Sequence, residues 1–209
     1  MFGIPREGAS HEFRPVQDRS GIHPQPGDII GPDGAFAELF HEQIARRDVV
    51  GQLAGLLEEA RAASTSVIYT RIAFAPGFSD LVPNSPLLQM VQQAGCLVDG
   101  TDSAAIIQPL LPGPGDAVIT NQQVGGFGTE LAGLLESRGI DTLLIAGVAT
   151  NISVESTARA AVDHGYRVAI VEDACSAATE AAHAASIESL GLLAAITTCA
   201  GIEWDPATA

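Results

Sequence analysis

The stretch of sequence that decides the fold is IAGVATNISVESTARAAVDHGYRVAIVEDACSA, residues 145–177. It contains an apolar run, a turn of small residues, a segment with helical periodicity and a second apolar run, in that order. Unbroken runs of Val, Ile and Leu on either side of a helix indicate parallel strands that are buried on both faces. The stretch therefore predicts strands over residues 142–147 and 167–173, joined by a helix over residues 151–164.

The same alternation of strand and helix extends to both sides of this unit. Further strands are predicted over residues 66–74, 117–121 and 194–198, and helices over residues 37–63, 86–94, 129–139 and 179–190. This order predicts a single α/β domain with three α/β/α layers and a mostly parallel sheet of roughly five or six strands. The most apolar runs, at residues 67–73, 118–120, 143–146 and 168–171, are expected to be central and buried.

The beginning of the chain has a different composition from the rest. Residues 1–34 are rich in Pro, Gly and charged residues and have almost no apolar periodicity. They are predicted to form an irregular arm with at most one short strand. The α/β domain is expected to occupy residues 35–209.

The charge balance restricts the classes of partner that the protein can bind, and the cysteines indicate its cellular compartment. The chain has 25 acidic residues against 10 basic ones, a net charge of -15, which disfavours binding to nucleic acid and to anionic membranes. All the basic residues are arginines, so no mechanism can use a lysine. The three cysteines show no C-x-x-C spacing, and no apolar run approaches the ~20 residues of a membrane span. We therefore expect a cytoplasmic protein.

The motifs GVATN, VESTAR, HGYRV and VEDA occur in this stretch in the order and spacing of the isochorismatase-like cysteine hydrolases. The chain resembles that family over about residues 29–198. Nicotinamidases, N-carbamoylsarcosine and maleamate amidohydrolases, ureide hydrolases and isochorismatase belong to it. The resemblance implies the family's fold, a cis peptide bond in the GVAT turn, a small-molecule site at the carboxyl ends of the strands, and a homo-oligomer.

The resemblance also implies a catalytic Cys, Lys and Asp, and two of these positions can be compared directly. Ser153 stands at the position of the Cys, where a helix start would stabilise a thiolate. Asn121 stands at the position of the Lys and cannot supply a positive charge. A serine hydroxyl without a strong base is a poor nucleophile. The expected active site is therefore divergent, and standard hydrolase activity is not expected.

The position of the family's Asp falls in the predicted arm. When the chain is aligned with the family's motif without a gap, the Asp position falls on Pro24. With one gap, it falls on His23. Asp18 and Asp28 are nearby carboxylates, but neither follows an apolar strand. The residue that replaces the general acid or base is left open.

The candidate site residues are those expected at the carboxyl ends of the strands. Ser153 is the catalytic candidate, although it can equally be an ordinary helix-start serine or a Cys-to-Ser substitution made to trap a substrate. The substrate-binding candidates are Arg71, Asn121, Phe127, Ala149 and Thr150. Arg71 can hold a substrate carboxylate in a bidentate manner, or it can form an ion pair within the protein. The histidines show no ligand spacing, so neither a metal nor another cofactor is expected.

Three functions follow from these observations. The first is an enzyme of a biosynthetic pathway that acts on a small molecule by positioning and electrostatics, through cyclisation, isomerisation or elimination. The second is a non-catalytic family member that binds a small molecule or has a structural role. The third is an amide hydrolase that uses Ser153. An open, polar cleft beside Ser153 would favour the first, and a cleft filled by side chains would favour the second.

Overall fold

Parallel strands form the centre of the fold in the computed structural model, which describes residues 20–22 and 27–204. The strands are β1 (Ser20–Ile22), β2 (Ser66–Ile72), β3 (Ala117–Asn121), β4 (Thr142–Val148), β5 (Arg167–Ser176) and β6 (Ala195–Thr197). The helices are α1 (Gly27–Ile30), α2 (Ala37–Arg46), α3 (Val49–Ala62), α4 (Pro86–Ala94), α5 (Thr129–Ser137), α6 (Glu155–Asp163) and α7 (Glu180–Leu190). The predicted single α/β domain with three α/β/α layers is confirmed.

The order of the strands shows where a ligand site should lie. β1, β2 and β3 form one hydrogen-bonded parallel group, and β4, β5 and β6 form another. β1 lies beside β4, so the complete order is β3-β2-β1-β4-β5-β6. The chain changes direction across the sheet between β1 and β4. In open α/β sheets of this order, ligands bind beyond the carboxyl ends of the strands at that point.

The prediction of one helix over residues 37–63 is wrong, because two helices occupy this range. α2 ends at Arg46, and Asp48 has a left-handed backbone conformation with a φ of 49° before α3 begins. Neither Gly nor Pro occurs at this break, so the sequence pattern could not show it. Arg47 is fixed there by tertiary contacts, since its guanidinium donates to the carbonyls of Glu172 and Cys175.

The prediction that residues 118–120 are central is also wrong. β3 lies at the edge of the sheet, with Val118 43% exposed and only Ile119 of the strand buried. Burial is confirmed for residues 67–70, 143–146 and 168–171, although Arg71 and Ile72 at the end of β2 are only half-buried. An apolar run alone does not distinguish an edge strand from an internal one.

Part of the predicted arm enters the domain. β1 pairs with β2, and α1 precedes a tight turn with the sequence GPDG at residues 31–34. A Cβ atom on Gly34 would lie 2.6 Å from the carbonyl oxygen of Asp28. A Cβ atom on Gly31 would lie 2.5 Å from the carbonyl oxygen of Gly27. The turn therefore requires glycine at both positions. Residues 1–19 and 23–26 lie outside the described residues, and the domain boundary at residue 35 stays a prediction.

Helices of the described ranges are all too short or too polar to cross a membrane.

Candidate functional site

A cleft lies at the carboxyl ends of β2, β3 and β4, with about 610 Å³ of empty space when the part open to solvent is counted. Small molecules bind at this end of the strands in open α/β sheets. α1 and α2 contribute one group of lining residues, and α4 another. The lining is mainly apolar and consists of Ile29, Phe36, Phe40, Thr70, Ile72, Leu87, Leu88, Val91, Leu97, Asn121, Gln123, Val124, Gly126, Val148, Ala149, Ile152 and Ser153. The structure therefore has a cleft at the place that the strand order indicates.

Ser153 lies in the cleft, in the turn that follows β4. This turn, Thr150–Val154, has π-helical hydrogen bonding and comes directly after a cis peptide bond between Val148 and Ala149. The Ser153 side chain is buried, and its hydroxyl donates to the carbonyl oxygens of Val148 at 3.0 Å and Ala149 at 3.4 Å. A nucleophilic serine needs a base to accept its proton. Here the hydroxyl donates hydrogen bonds to backbone carbonyls of the same turn, which are not bases.

The loop after β3 packs against the start of α6 through a threonine that the sequence analysis missed. The hydroxyl of Thr157 donates to the Ser153 carbonyl at 2.6 Å and accepts from the Gly126 N–H at 2.8 Å. A Cβ atom on Gly125 would lie 2.5 Å from Ser156 Oγ. The two adjacent glycines therefore allow a close approach that positions one wall of the cleft. Thr157 belongs to the VESTAR motif, and that motif could have identified it from the sequence.

Asn121 and Ala149 also line the cleft. The Oδ1 atom of Asn121 accepts a hydrogen bond from the Gln123 N–H at 2.9 Å. This bond fixes the orientation of the side-chain amide at the end of β3. Of the six predicted site residues, the structure brings Asn121, Ala149 and Ser153 together around one cleft.

Arg71 lies outside the cleft lining, and its role in substrate binding stays a prediction. Its guanidinium pairs with Asp99 and donates to the carbonyl of Ala104 at 3.3 Å. The hydrogen bond from Arg71 lowers the pKa of the Asp99 carboxyl. Of the two roles that the sequence allows, the structure shows the ion pair within the protein.

Phe127 and Thr150 are also absent from the cleft lining. The Phe127 ring packs on the rings of His164, at a centroid distance of 4.7 Å, and Tyr166, at 5.7 Å. Thr150 is fully buried, and its hydroxyl forms a 2.8 Å hydrogen bond with Nδ1 of His183. Both residues support the walls of the site from behind. That they contact the substrate stays a prediction; neither lines this cleft, because sequence position near a strand end does not determine side-chain direction.

A buried polar network supports the turn that carries Ser153. Besides the bond between Thr150 and His183, the hydroxyl of Ser186 contacts the Thr150 carbonyl at 3.3 Å and a Glu155 carboxylate oxygen at 2.6 Å. Glu155 in turn forms an ion pair with Arg159 on the next turn of α6. The network connects the Ser153 turn with α6 and α7. It therefore restricts the movement of the catalytic candidate.

His183 should make the stability of the protein depend on pH. Burial lowers its pKa below the usual value of about 6.5, and the nearby Arg47 acts in the same direction. The folded protein therefore takes up a proton at His183 at a lower pH than the unfolded chain, which does so as the pH falls through about 6.5. Stability from this residue is present above that pH and is lost on acidification. Denaturant unfolding at pH 7.5 and 5.5 should show a larger loss in the wild type than in His183→Asn.

A suitable control is His41→Asn, which changes an exposed histidine on α2. This variant should keep the pH dependence of the wild type. Equal losses of stability in the wild type and His183→Asn would contradict the prediction.

The position of the family's Asp is only partly covered by the structure. Asp18, His23 and Pro24 lie outside the described residues. Asp28 is 4% exposed, and its carboxylate accepts a hydrogen bond from the Leu97 N–H at 2.8 Å. Asp28 does not line the cleft. Its carboxylate therefore joins α1 to the segment that follows α4.

The cysteines do not supply an alternative nucleophile at the cleft. Burial raises the pKa of Cys96 to about 11 and that of Cys175 and Cys199 to about 12, and none of the three lines the cleft. A thiol with such a pKa is not a thiolate at neutral pH. Over residues 27–204, the side chains of His, Cys, Asp and Glu form no group of three that could hold a metal ion.

Comparison with known proteins places this geometry in a family. An Isochorismatase domain model matches residues 35–201. The uncharacterized isochorismatase family protein YwoC of Bacillus subtilis is 34% identical over 140 residues, which cover 66% of this chain and 72% of that protein. The maleamate amidohydrolase of Pseudomonas putida is 33% identical over 129 residues, 59% of this chain and 58% of that protein.

A solved structure gives the same result for the fold. The crystal structure of an isochorismatase family protein from Desulfovibrio vulgaris matches with a TM-score of 0.75 and 28% sequence identity. The match covers 88% of this chain and 94% of that one. Because the domain model covers most of the chain and the solved structure shares its fold, this protein belongs to the isochorismatase family.

Proposed function

We propose that this protein acts on a small molecule without hydrolysis and without a covalent intermediate on the enzyme. The observation that carries the proposal is the geometry of Ser153, whose hydroxyl donates to the Val148 carbonyl while its side chain lies in an open cleft. Cyclisation, isomerisation and elimination are the reaction types in question. They can be promoted by holding a reactive conformer and by placing dipoles near developing charge.

Asn121 supports the same conclusion. The resemblance places the family's Lys here, and an amide cannot carry the positive charge that would stabilise an anionic intermediate. Among the described residues that line the cleft, none is ionisable. No cation for the substrate is therefore found in that part of the lining. The amidohydrolase activity named for the Pseudomonas putida relative is not proposed for this chain.

The apolar lining supports a second function, the binding of a small molecule without catalysis. The sequence analysis assigned an open, polar cleft to the first function and a cleft filled by side chains to the second. This cleft is open but mainly apolar. Apolar walls supply binding free energy from burial but no chemistry. The third function, an amide hydrolase that uses Ser153, has the least support because the hydroxyl is directed at backbone carbonyls.

A cytoplasmic location, a homo-oligomeric state and a place in a biosynthetic pathway belong to the same proposal. The three unpaired thiols support a reducing compartment. The family resemblance supports the homo-oligomer. The biosynthetic role rests on the proposed type of chemistry alone.

The proposed chemistry can be tested with labelled water. The protein should be incubated with an extract of small metabolites in H₂¹⁸O, and consumed compounds should be followed by mass spectrometry. A non-hydrolytic enzyme should yield products of unchanged composition, or products that have lost a neutral fragment, without ¹⁸O. Ser137→Ala, which changes an exposed serine on α5, serves as the matched control for Ser153→Ala.

Each remaining outcome of this experiment favours another function. Incorporation of ¹⁸O into a product that Ser153→Ala no longer forms would replace the proposal with a serine-dependent hydrolase. Consumption of no compound, together with the binding of one, would replace it with a non-catalytic binding protein.

A further inference from the structure

An exposed apolar surface lies at the β6 edge of the sheet, outside the lining of the cleft. Leu192 is 86% exposed and Leu193 is 42% exposed, in the turn that joins α7 to β6. Among the described strands, β6 pairs only with β5, so its other edge is open. Exposed leucines beside an open strand edge are typical of a surface that another chain covers.

α7 continues this surface, and the polarity of its two sides is the reverse of that of a usual surface helix. The polar residues His183 and Ser186 lie on its buried side. The middle of its exposed side consists of Ala181, Ala184 and Ala185. A helix with an apolar outer side normally packs against another element on that side. Because these alanines are exposed, the described part of the chain does not supply that element.

The charged side chains at the two ends of α7 indicate which partner fits. Glu180, the first residue of the helix, has a side chain that is 50% exposed and pairs with Arg47. The side chain of Arg159 on α6 is 43% exposed and donates to Ser189 Oγ at 2.7 Å, in the last turn of α7. An exposed carboxylate therefore marks the start of α7, and an exposed guanidinium marks its end, about 14 Å further along the helix.

A second copy of this chain supplies the matching charges when its α7 lies antiparallel to the first. With a two-fold axis beside Ala184, the first residue of each α7 lies opposite the last turn of the other. Each Arg159 then faces the partner's Glu180, and the two join ion pairs that are already formed within each copy. Glu188 lies opposite the first turn of the partner's α7, where the helix dipole favours a carboxylate. The same residues meet on both sides of the axis, as a two-fold interface requires.

We infer that two copies of this chain associate through the outer side of α7 and the adjacent leucines, in an antiparallel arrangement about a two-fold axis. The inference deepens the homo-oligomeric state that accompanies the proposed function, and rests on it. The alanines allow the two helices to approach closely, and Leu192 extends the apolar contact beyond the helix. A net charge of -15 makes two copies repel, so they should associate where the facing charges are opposite.

Light scattering on the intact protein tests for this interface. The wild type should form a dimer, or a larger even-numbered assembly, at micromolar concentration. Ala184→Glu places a carboxylate at the centre of the contact, where it meets its own copy and no cation. It should raise the dissociation constant by about a hundredfold or more, so that the measured mass falls to half that of the wild type. Ala45→Glu makes the same change at an exposed alanine on α2 and should leave the mass unchanged.

Three results would overturn the inference. A wild-type monomer would overturn it together with the proposed homo-oligomer, but would leave the proposed chemistry untouched. A wild-type assembly that persists in folded Ala184→Glu would overturn the inference alone. Dissociation by Val118→Glu, which changes an exposed valine on the opposite edge strand β3, but not by Ala184→Glu, would place the interface at that edge instead.

Two charge reversals test the antiparallel arrangement even if Ala184→Glu fails to fold. Arg159→Glu and Glu180→Arg should each weaken self-association by about tenfold or more, because like charges then face each other at both ends of the contact. An equimolar mixture of the two variants should associate with nearly the affinity of the wild type, since each end of the mixed pair again joins opposite charges. Failure of the mixture to associate, with both variants folded by circular dichroism, would overturn the inference.

Discussion

Purified protein that is incubated overnight with nicotinamide, N-carbamoylsarcosine, maleamate or isochorismate should leave each compound intact. The family resemblance places Ser153 at the position of the thiolate and Asn121 at the position of the lysine. Removal of the members of a catalytic unit typically lowers the rate by roughly three to six orders of magnitude. Chromatography of the four compounds before and after incubation measures the result. The Ser153→Ala variant, incubated in the same way, gives the background loss of each compound.

Restoration of the cysteine alone should not restore hydrolysis. In Ser153→Cys the thiol regains its place at the turn after β4, but Asn121 still offers no cation to the site. Only a variant that also carries Asn121→Lys would supply two of the three expected groups. Rapid hydrolysis by Ser153→Cys would mean that the serine replaces a native cysteine in an otherwise working hydrolase. Rapid hydrolysis by the wild type that Ser153→Ala abolishes would show a serine nucleophile.

Loss of the Asp28 carboxylate should have the largest effect on stability among the variants of the site region. The carboxylate accepts the Leu97 N–H at 2.8 Å, and Leu97 has a left-handed backbone conformation with a φ of 57°. Asp28→Ala leaves this buried N–H without its acceptor, at a cost of roughly 2–3 kcal/mol. For a chain of this size that corresponds to a decrease in Tm of roughly 4–12 °C. Thermal unfolding followed by circular dichroism measures it.

Two variants show whether the effect comes from this hydrogen bond. Asp28→Asn keeps a carbonyl oxygen as acceptor and should lose less than half as much stability. Asp33→Ala removes an exposed carboxylate from the same GPDG turn and should change stability by no more than about 0.5 kcal/mol. If Asp28→Ala instead unfolded like the wild type but lost turnover of a substrate, Asp28 would be the general acid and not a structural residue.

The sequence determined the type and order of most elements. Ranges such as 86–94 and 117–121 were predicted with the bounds that the structure has, because a helix cap and a short β-branched run mark their ends locally. The Ser85 side chain, for example, accepts the Leu88 N–H at the start of α4. The motifs of residues 145–177 also determined the family, since their order and spacing depend on no contact outside that stretch.

Tertiary contacts decided the remaining features of the fold. The break between α2 and α3 depends on Arg47, which reaches the carbonyls of Glu172 and Cys175 on a strand more than a hundred residues away. The edge position of β3 depends on which strand lies next to it, and its apolar residues give no information about that. The apolar periodicity of a segment shows which of its faces can be buried. It does not show where the other segments of the chain lie.

The candidate site was likewise predicted in part from the sequence and decided in part by tertiary contacts. Ser153, Asn121 and Ala149 were predicted from sequence and line one cleft, because each stands at a strand end or turn that one motif defines. Arg71, Phe127 and Thr150 occupy similar places along the chain, yet their side chains point to partners inside the protein, namely Asp99, an aromatic pair and His183. The sequence by itself determined which turn carries the candidate site. The tertiary structure decided which side chains face the cleft, because that depends on packing between segments that are distant in sequence.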